Sequence, residues 1–338
     1  MIEQWASLSK DWIHKQIEEI YEPVQSELND TEQIIQSFFD DEPRELIRSA
    51  SQYLAGAGGK RIRPALVLLF AKASGNITNS YDHPRAAASV EYIHNATLIH
   101  DDVVDEAELR RGVRSVNEKW DNKTAVLIGD YLYSRALDEI TQLGNWEIVA
   151  ELTKATRSMS RGELISLNDQ IDVDISREKY FEIIEHKTAS LMSAACFAGA
   201  AGDEQKQGAA RVYGENFGLA FQIFDDIIDL LSESDTAGKN AFKDLEKGKL
   251  TLPLIEAISV NQNGARARIE GVLDNTSTLA ERRNELLPII KENNGFKRSA
   301  EVAAQYAEKA KDSIDVFPES PAKQSLQNMC DYVVNRNF

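Results

Sequence analysis

Two acidic clusters carry the residue types from which chemistry could be built: Asp101-Asp102-Val103-Val104-Asp105 and Asp225-Asp226-Ile227-Ile228-Asp229. Both read Asp-Asp-x-x-Asp, and both adjoin apolar runs, Thr97-Leu98-Ile99 before the first and Phe217 to Phe224 before the second. On a helix, residues four apart share a face, so Asp101 stands over Asp105 and Asp225 over Asp229. Like charges stacked this way repel, and a carboxylate in apolar surroundings is costly unless something pairs with it. A solvated acidic helix face would explain one such cluster. It predicts polar neighbours, however, and Phe217, Leu219, Ala220, Phe221, Ile223 and Phe224 are nothing of the kind. Two clusters of one spacing, 124 residues apart (225 − 101), suggest two carboxylate walls facing each other across a cavity. The counter-charge that fits is hard, divalent and oxygen-loving: Mg²⁺ bridging carboxylates to substrate phosphates.

Basic residues stand where anions would need them. Gly58-Gly59-Lys60-Arg61-Ile62-Arg63-Pro64 sets a glycine pair before three cations at a helix start, with free N–H groups and the positive dipole end. Arg110-Arg111-Gly112 follows the first acidic cluster, and Lys187-Thr188 and Lys239 are further cations. Each alone reads as a solvated side chain or as compensation of a helix dipole. Together with two Mg²⁺-binding walls they suit two diphosphates in one cavity. His94 lies seven residues before Asp101, two turns away on the same face, whereas His100 is as readily a surface or packing residue. No Ser-His-Asp or Cys-His nucleophile is evident.

The elements that must position these residues are helices. Apolar residues recur at three- and four-residue spacings, and alternating strand patterns with hairpin dipeptides are missing. The pattern predicts helices at roughly 2–23, 31–39, 43–56, 61–74, 84–106, 122–143, 146–172, 176–199, 206–233, 251–260, 277–293, 297–314 and 321–336. Ser176 is the expected cap of the helix running to Gly199, Pro321 a first helical residue, and Gly75 and Asn294-Gly295 C-terminal stops. The stretch from Asp235 to Leu250, rich in Gly, Lys and Asp, reads as a working loop. No linker or repeat divides the 338 residues, so the expectation is one all-α domain, 1–338, a bundle of about ten or more helices around a deep central cavity.

Composition narrows the partners. A net charge of −17 argues against nucleic acid, and no apolar stretch approaches the ~20 residues of a membrane span. The start Met1-Ile2-Glu3-Gln4-Trp5 lacks a basic, apolar leader, and the two cysteines, Cys196 and Cys330, give neither a disulfide framework nor a zinc spacing. A cytoplasmic location is expected.

At this point the chain resembles the trans-polyprenyl diphosphate synthases, the head-to-tail isoprenyl chain-elongation enzymes. The motifs run in family order: Gly-Gly-Lys-x-x-Arg-Pro at 58–64, Glu91-x-x-His94, Leu98-Ile99-His100-Asp101-Asp102, Asp105 with Arg110-Arg111-Gly112, then Gly129-Asp130 and Lys187-Thr188. Phe221-Gln222-x-x-Asp225-Asp226-x-x-Asp229, Gly238-Lys239 and Gly248-Lys249-x-Thr251-x-Pro253 complete them. The resemblance implies that Asp101, Asp102, Asp105, Asp225, Asp226 and Asp229 hold Mg²⁺ on the allylic diphosphate, geranyl or farnesyl. It implies that Arg110, Lys187 and Lys239 grip that diphosphate with Thr188 and Gln222 nearby, and that Lys60, Arg63, His94 and Arg111 hold isopentenyl diphosphate. Asp101, Asp102, Lys187, Asp225 and Lys239 would form the catalytic set, and a homodimer is expected. Two departures stand out: Arg161-Gly162-Glu163 then Ser166 where many relatives carry Glu-Gly-Glu then Gln, and Asn240 to Asp244 after Lys239 where a Pro and a second Gly are common. They bear on rate and loop behaviour, not reaction class.

Ala96 and Thr97, five and four residues before Asp101, lie about one turn below the first wall. Short-chain relatives tend to place aromatic residues there as a floor; a methyl group and a small hydroxyl favour a product of six or more isoprene units, such as a quinone side-chain precursor. Competing readings are a farnesyl or geranylgeranyl synthase, a terpene cyclase, which usually lacks the Gly-Gly-Lys-x-x-Arg site and a complete second acidic cluster, and a non-catalytic subunit, expected to have lost acidic ligands.

Overall fold

The structure, a computed structural model, describes residues 10–37, 39–56, 58–75, 82–110, 112–167, 176–231, 249–273 and 278–335. Arg111, Lys239 and residues 235–248 of the expected working loop lie outside the described residues.

The three- and four-residue apolar spacing folds as helix. In chain order these are α1 (Lys10–Tyr21), α2 (Gln25–Ser37), α3 (Glu45–Gly56), α4 (Ile62–Ser74) and α5 (His83–Val104). A ribbon of β1 (Leu109–Arg110) and β2 (Val113–Arg114) follows, then α6 (Val116–Lys119), α7 (Asn122–Gln142), α8 (Trp146–Leu167) and α9 (Arg177–Ile184). The chain continues through a π turn (Glu185–Ala189) into α10 (Ser190–Gly199), and then into α11 (Glu204–Leu231), α12 (Leu252–Val260) and α13 (Ala265–Leu273). Helices α14 (Leu279–Glu292), α15 (Gly295–Ser313) and α16 (Pro321–Asn335) end the described chain. The all-α class holds, with corrections in detail.

The antiparallel ribbon pairs Leu109 with Arg114 and Arg110 with Val113. At two residues per strand it is too short to leave an alternating pattern in the sequence. Pro23 does not end the N-terminal helical region: a 3₁₀ turn over Glu22–Val24 absorbs it, and helix resumes at Gln25 rather than near 31. Helix α13 was not expected at all; it buries Ala265, Ile269, Val272 and Leu273 at helical spacing. The Ser176 side chain accepts from the Lys179 N–H at 3.1 Å, as a cap should, and the predicted helix runs to Gly199 with a π turn inside it.

Helix α10 takes the centre. Leu191 to Gly199 are all buried, and α4, α5, α8 and α11 pack around it. Its run of Ser, Ala, Cys and Gly lets those backbones approach closely. The two acidic helices, α5 and α11, are thereby held on either side of a shared partner. Among the described residues, no helix is long and apolar enough to cross a membrane.

Candidate active site

The first acidic cluster occupies the last turn of its helix. Asp82 caps the start of α5, accepting from the Arg85 N–H at 3.1 Å, and the far end closes where the Asp105 N–H reaches the Asp101 carbonyl at 2.8 Å. Asp225 to Asp229 lie on α11, whose described residues run to Leu231. A helix C-terminus carries the negative end of the macrodipole, where each carboxylate loses about 0.3–1 kcal/mol and a cation gains as much. The Asp-Asp-x-x-Asp cluster at the end of α5 is electrostatically unfavourable there in isolation and favours positive charge.

The fold separates aspartates that spacing alone groups together. Asp102 and Asp226 are each 3% exposed, whereas Asp101, Asp105, Asp225 and Asp229 are half-buried. Asp102 is held by Arg110, whose Nε donates at 2.9 and 3.1 Å to its two oxygens and whose Nη2 also donates. Asp226 accepts from the Tyr180 hydroxyl at 2.7 Å and from the Gln222 amide at 2.8 Å. The second aspartate of each wall is turned onto protein groups. The first and third remain at the surface of the wall.

The π turn joins the walls. Lys187 ion-pairs with Glu163 on α8 and acts electrostatically on Asp101 and Asp105. Its neighbour Thr188 donates to the Gln222 side-chain amide oxygen at 2.8 Å, extending the network to Asp226 and Tyr180. Consecutive side chains thus serve the two walls from a π turn, a feature that occurs frequently at functional sites. Two glycines admit the turn. A Cβ on Gly162 would lie 2.8 Å from both His186 Cβ and Lys187 Cγ, and one on Gly218 would lie 2.6 Å from the Ala189 Cα.

The field at the first wall is legible in its protonation. Burial pushes the Asp101 carboxyl up to about 6, with Glu163 and Asp105 adding to the rise and Lys187 and Arg110 opposing it. Burial works against the Lys187 charge too, but Glu163, Asp101 and Asp105 outweigh it and hold the ammonium above its ordinary range.

Lys60 and Arg63 flank Arg61, and Arg61 has a structural task. In the left-handed region at φ 49°, it bonds Glu91 on α5 at 2.8 Å and Glu32 on α2 at 2.9 and 3.2 Å. That grip ties the basic loop to α5 one turn before half-buried His94. Lys60 is exposed; its carbonyl accepts from the Tyr21 hydroxyl at 2.8 Å and its ammonium lies 3.4 Å from the Tyr332 hydroxyl. The ribbon bearing Arg110 is fixed separately: the Tyr53 hydroxyl donates to the Arg114 carbonyl at 2.7 Å, and Lys119 stacks over the Tyr53 and Trp120 rings. Of the chain-length positions, Ala96 has no exposed surface and Thr97 is half-buried.

Sequence reasoning missed Glu163 as a partner of Lys187 and Tyr180 as a partner of Asp226. Neither has a local signal, since Tyr180 and Asp226 are 46 residues apart. Among the described residues, no three His, Cys, Asp or Glu side chains converge to hold an ion unaided. Mg²⁺ usually takes one or two carboxylates together with water and substrate phosphate. The paired carboxylates of the two walls fit that habit.

Residues 44–290 match the polyprenyl synthetase family. The chain belongs to it. The polyprenyl synthetase match spans both walls, the basic loop and the ribbon. An all-trans-nonaprenyl-diphosphate synthase (geranyl-diphosphate specific) of Rhodobacter capsulatus is 37% identical over 293 residues, covering 86% of this chain and 89% of that protein. An octaprenyl diphosphate synthase of Escherichia coli is 34% identical over 301 residues, covering 87% of this chain and 91% of that one. In structure, a polyprenyl synthase of Caulobacter crescentus complexed with calcium and isoprenyl diphosphate superposes with a TM-score of 0.86 at 33% identity, covering 95% of this chain and 98% of the other.

Proposed function

We propose that this chain is a trans-prenyltransferase that condenses isopentenyl diphosphate head-to-tail with geranyl or farnesyl diphosphate, giving an all-trans polyprenyl diphosphate of six or more units, a quinone side-chain precursor. The observation that carries the reading is the pair of acidic helices linked by one π turn, with Lys187 serving the first wall and Thr188 the second. The long-chain names of the nonaprenyl and octaprenyl relatives support the product class.

Asp101 and Asp105 on one wall, and Asp225 and Asp229 on the other, would hold Mg²⁺ on the allylic diphosphate. Asp102 and Asp226 keep the walls in place through Arg110 and through Tyr180 and Gln222. Bound Mg²⁺ supplies shielding of diphosphate charge as the allylic C–O bond ionises. Lys187, with Arg110 and Lys239, neutralises charge gathering on the leaving group. Lys60, Arg63, His94 and Arg111 hold isopentenyl diphosphate so that its double bond attacks the cation, and the released diphosphate takes the proton. The chain acts as a homodimer in the cytoplasm, where the buried thiols of Cys196 and Cys330 stay reduced.

The test is incubation with isopentenyl diphosphate, Mg²⁺ and each allylic primer, followed by chromatographic sizing. Products of six or more units are expected. Failure to incorporate isopentenyl diphosphate with any primer overturns the prenyltransferase reading, and products of three or four units overturn the chain length. Sedimentation would report the dimer.

A further inference from the structure

An aromatic ring does stand one turn below the first wall, supplied by the neighbouring helix. Helices α5 and α7 pack closely, and a Cβ on Gly129 would lie 2.2 Å from His100 Nε2. One turn farther along α7 from Gly129 comes Tyr133, and one turn back along α5 from Asp101 comes Thr97. Their oxygens are 2.5 Å apart. The Thr97 hydroxyl also lies 3.1 Å from the Ile93 carbonyl, and either hydroxyl of the Thr97–Tyr133 pair can be the donor. The Tyr133 ring lies 5.9 Å from the His100 ring, centroid to centroid, and Met159 of α8 brings its sulfur to 3.8 Å from Thr97.

These groups are placed where a growing tail must pass. At 3.6 residues per turn, Thr97 points about 40° from the direction of Asp101 and Ala96 about 140°. Burial agrees: Ala96 is fully covered, while Thr97 and Tyr133 are both half-buried. The charge of Asp101 is felt at the Tyr133 hydroxyl, which places both in one environment. A ring free to turn at this level would obstruct a chain of six or more units. Here its hydroxyl is tied to α5 and its face leans on His100.

We infer that the Thr97–Tyr133 hydrogen bond is a tether that holds the Tyr133 ring out of the tail path, so that this pair sets product length. The inference rests on the prenyltransferase reading and names a specificity residue for the same site. The long product then depends on one hydroxyl pair rather than on the absence of aromatic residues. Losing a neutral hydrogen bond of this kind shifts a side-chain equilibrium about two- to tenfold, enough to let the ring interrupt elongation without blocking the first condensations.

The experiment sizes products from wild type and from Tyr133→Phe, Thr97→Val and Tyr133→Ala, with total isopentenyl incorporation and thermal unfolding recorded for each. Tyr133→Phe keeps the ring and cuts the tether, and Thr97→Val cuts it from the other side at similar volume. Both are expected to raise the share of products of four units or fewer several-fold. Tyr133→Ala removes the obstructing ring and is expected to keep long products. Wild-type lengths from folded, active Tyr133→Phe and Thr97→Val would overturn the tether. Short products from Tyr133→Ala would overturn it too, by showing that the ring is a needed wall. A wild type that incorporates nothing defeats the parent reading instead, so the two failures are distinguishable.

Discussion

Asp101→Asn is expected to make the metal-free protein more stable and the enzyme nearly inactive. The Asp101 carboxyl stands at about 6 in the fold against an ordinary 3.8, because burial disfavours its charge. At 1.36 kcal/mol per pH unit, that gap means that the ionised carboxylate costs the folded state about 3 kcal/mol. The sign follows from linkage. Above pH 6 the group is ionised in both states and the full cost is present. As pH falls from 6 to 3.8 the folded protein takes up the proton first and the cost fades. Below 3.8 it is gone. Asparagine, neutral at every pH, should therefore stabilise the protein by about 3 kcal/mol at pH 7.5 and by almost nothing at pH 3.5. With an unfolding entropy of about 2.1 cal/mol/K per residue, the gain raises Tm by about 4 °C for 338 residues. The assay is thermal or urea unfolding in EDTA at both pH values, with turnover measured separately in Mg²⁺. Loss of stability at pH 7.5, or an equal gain at both, would refute the assignment of burial as the dominant cause. Near-wild-type turnover would remove Asp101 from the metal set.

Four further outcomes test other parts of the site. Asp225→Ala should cut turnover by orders of magnitude while the helical circular dichroism stays intact; near-normal activity would sink the two-wall reading. Lys187→Ala should chiefly raise KM for the allylic substrate and Arg111→Ala that for isopentenyl diphosphate, an assignment that fails if both variants move both constants equally. Gly162→Ala forces a methyl group against His186 and Lys187, so kcat should fall at least tenfold although no ligand is changed; unaltered kinetics would show that the π turn yields without consequence. Ala96→Tyr places a ring where no surface is exposed and should cost about 3 kcal/mol of stability by overpacking. A stable variant with shortened products would show instead that the ring reaches the tail path.

Helical class, the positions of both walls and most element boundaries were legible because they depend on local signals. Apolar spacing, Ser176, Gly75 and Pro321 act within a few residues of themselves. The ribbon at 109–114 and helix α13 escaped because each is too short or too charged for periodicity to register. Among the cations, order along the chain does not say which turn inward. Arg61 is spent on Glu32 and Glu91, and only the packing of α2 and α5 reveals it.

The division of labour among the aspartates was illegible for the same reason, and it follows from geometry once the fold is known. Adjacent residues on a helix point about 100° apart, and here Asp101 is half-buried while Asp102 turns inward, 3% exposed. Inside the protein a carboxylate survives only with strong partners. Arg110 provides them for Asp102, eight residues on; Tyr180 and Gln222 provide them for Asp226. With its second aspartate anchored in this way, each helix presents its first and third carboxylates four residues apart on one face. Lys187, reaching the first wall from the π turn between them, stands among those carboxylates while paired to Glu163. Its ammonium is thus stationed beside the carboxylates before any diphosphate arrives, and preorganised charge of this kind costs no reorganisation at the moment of reaction.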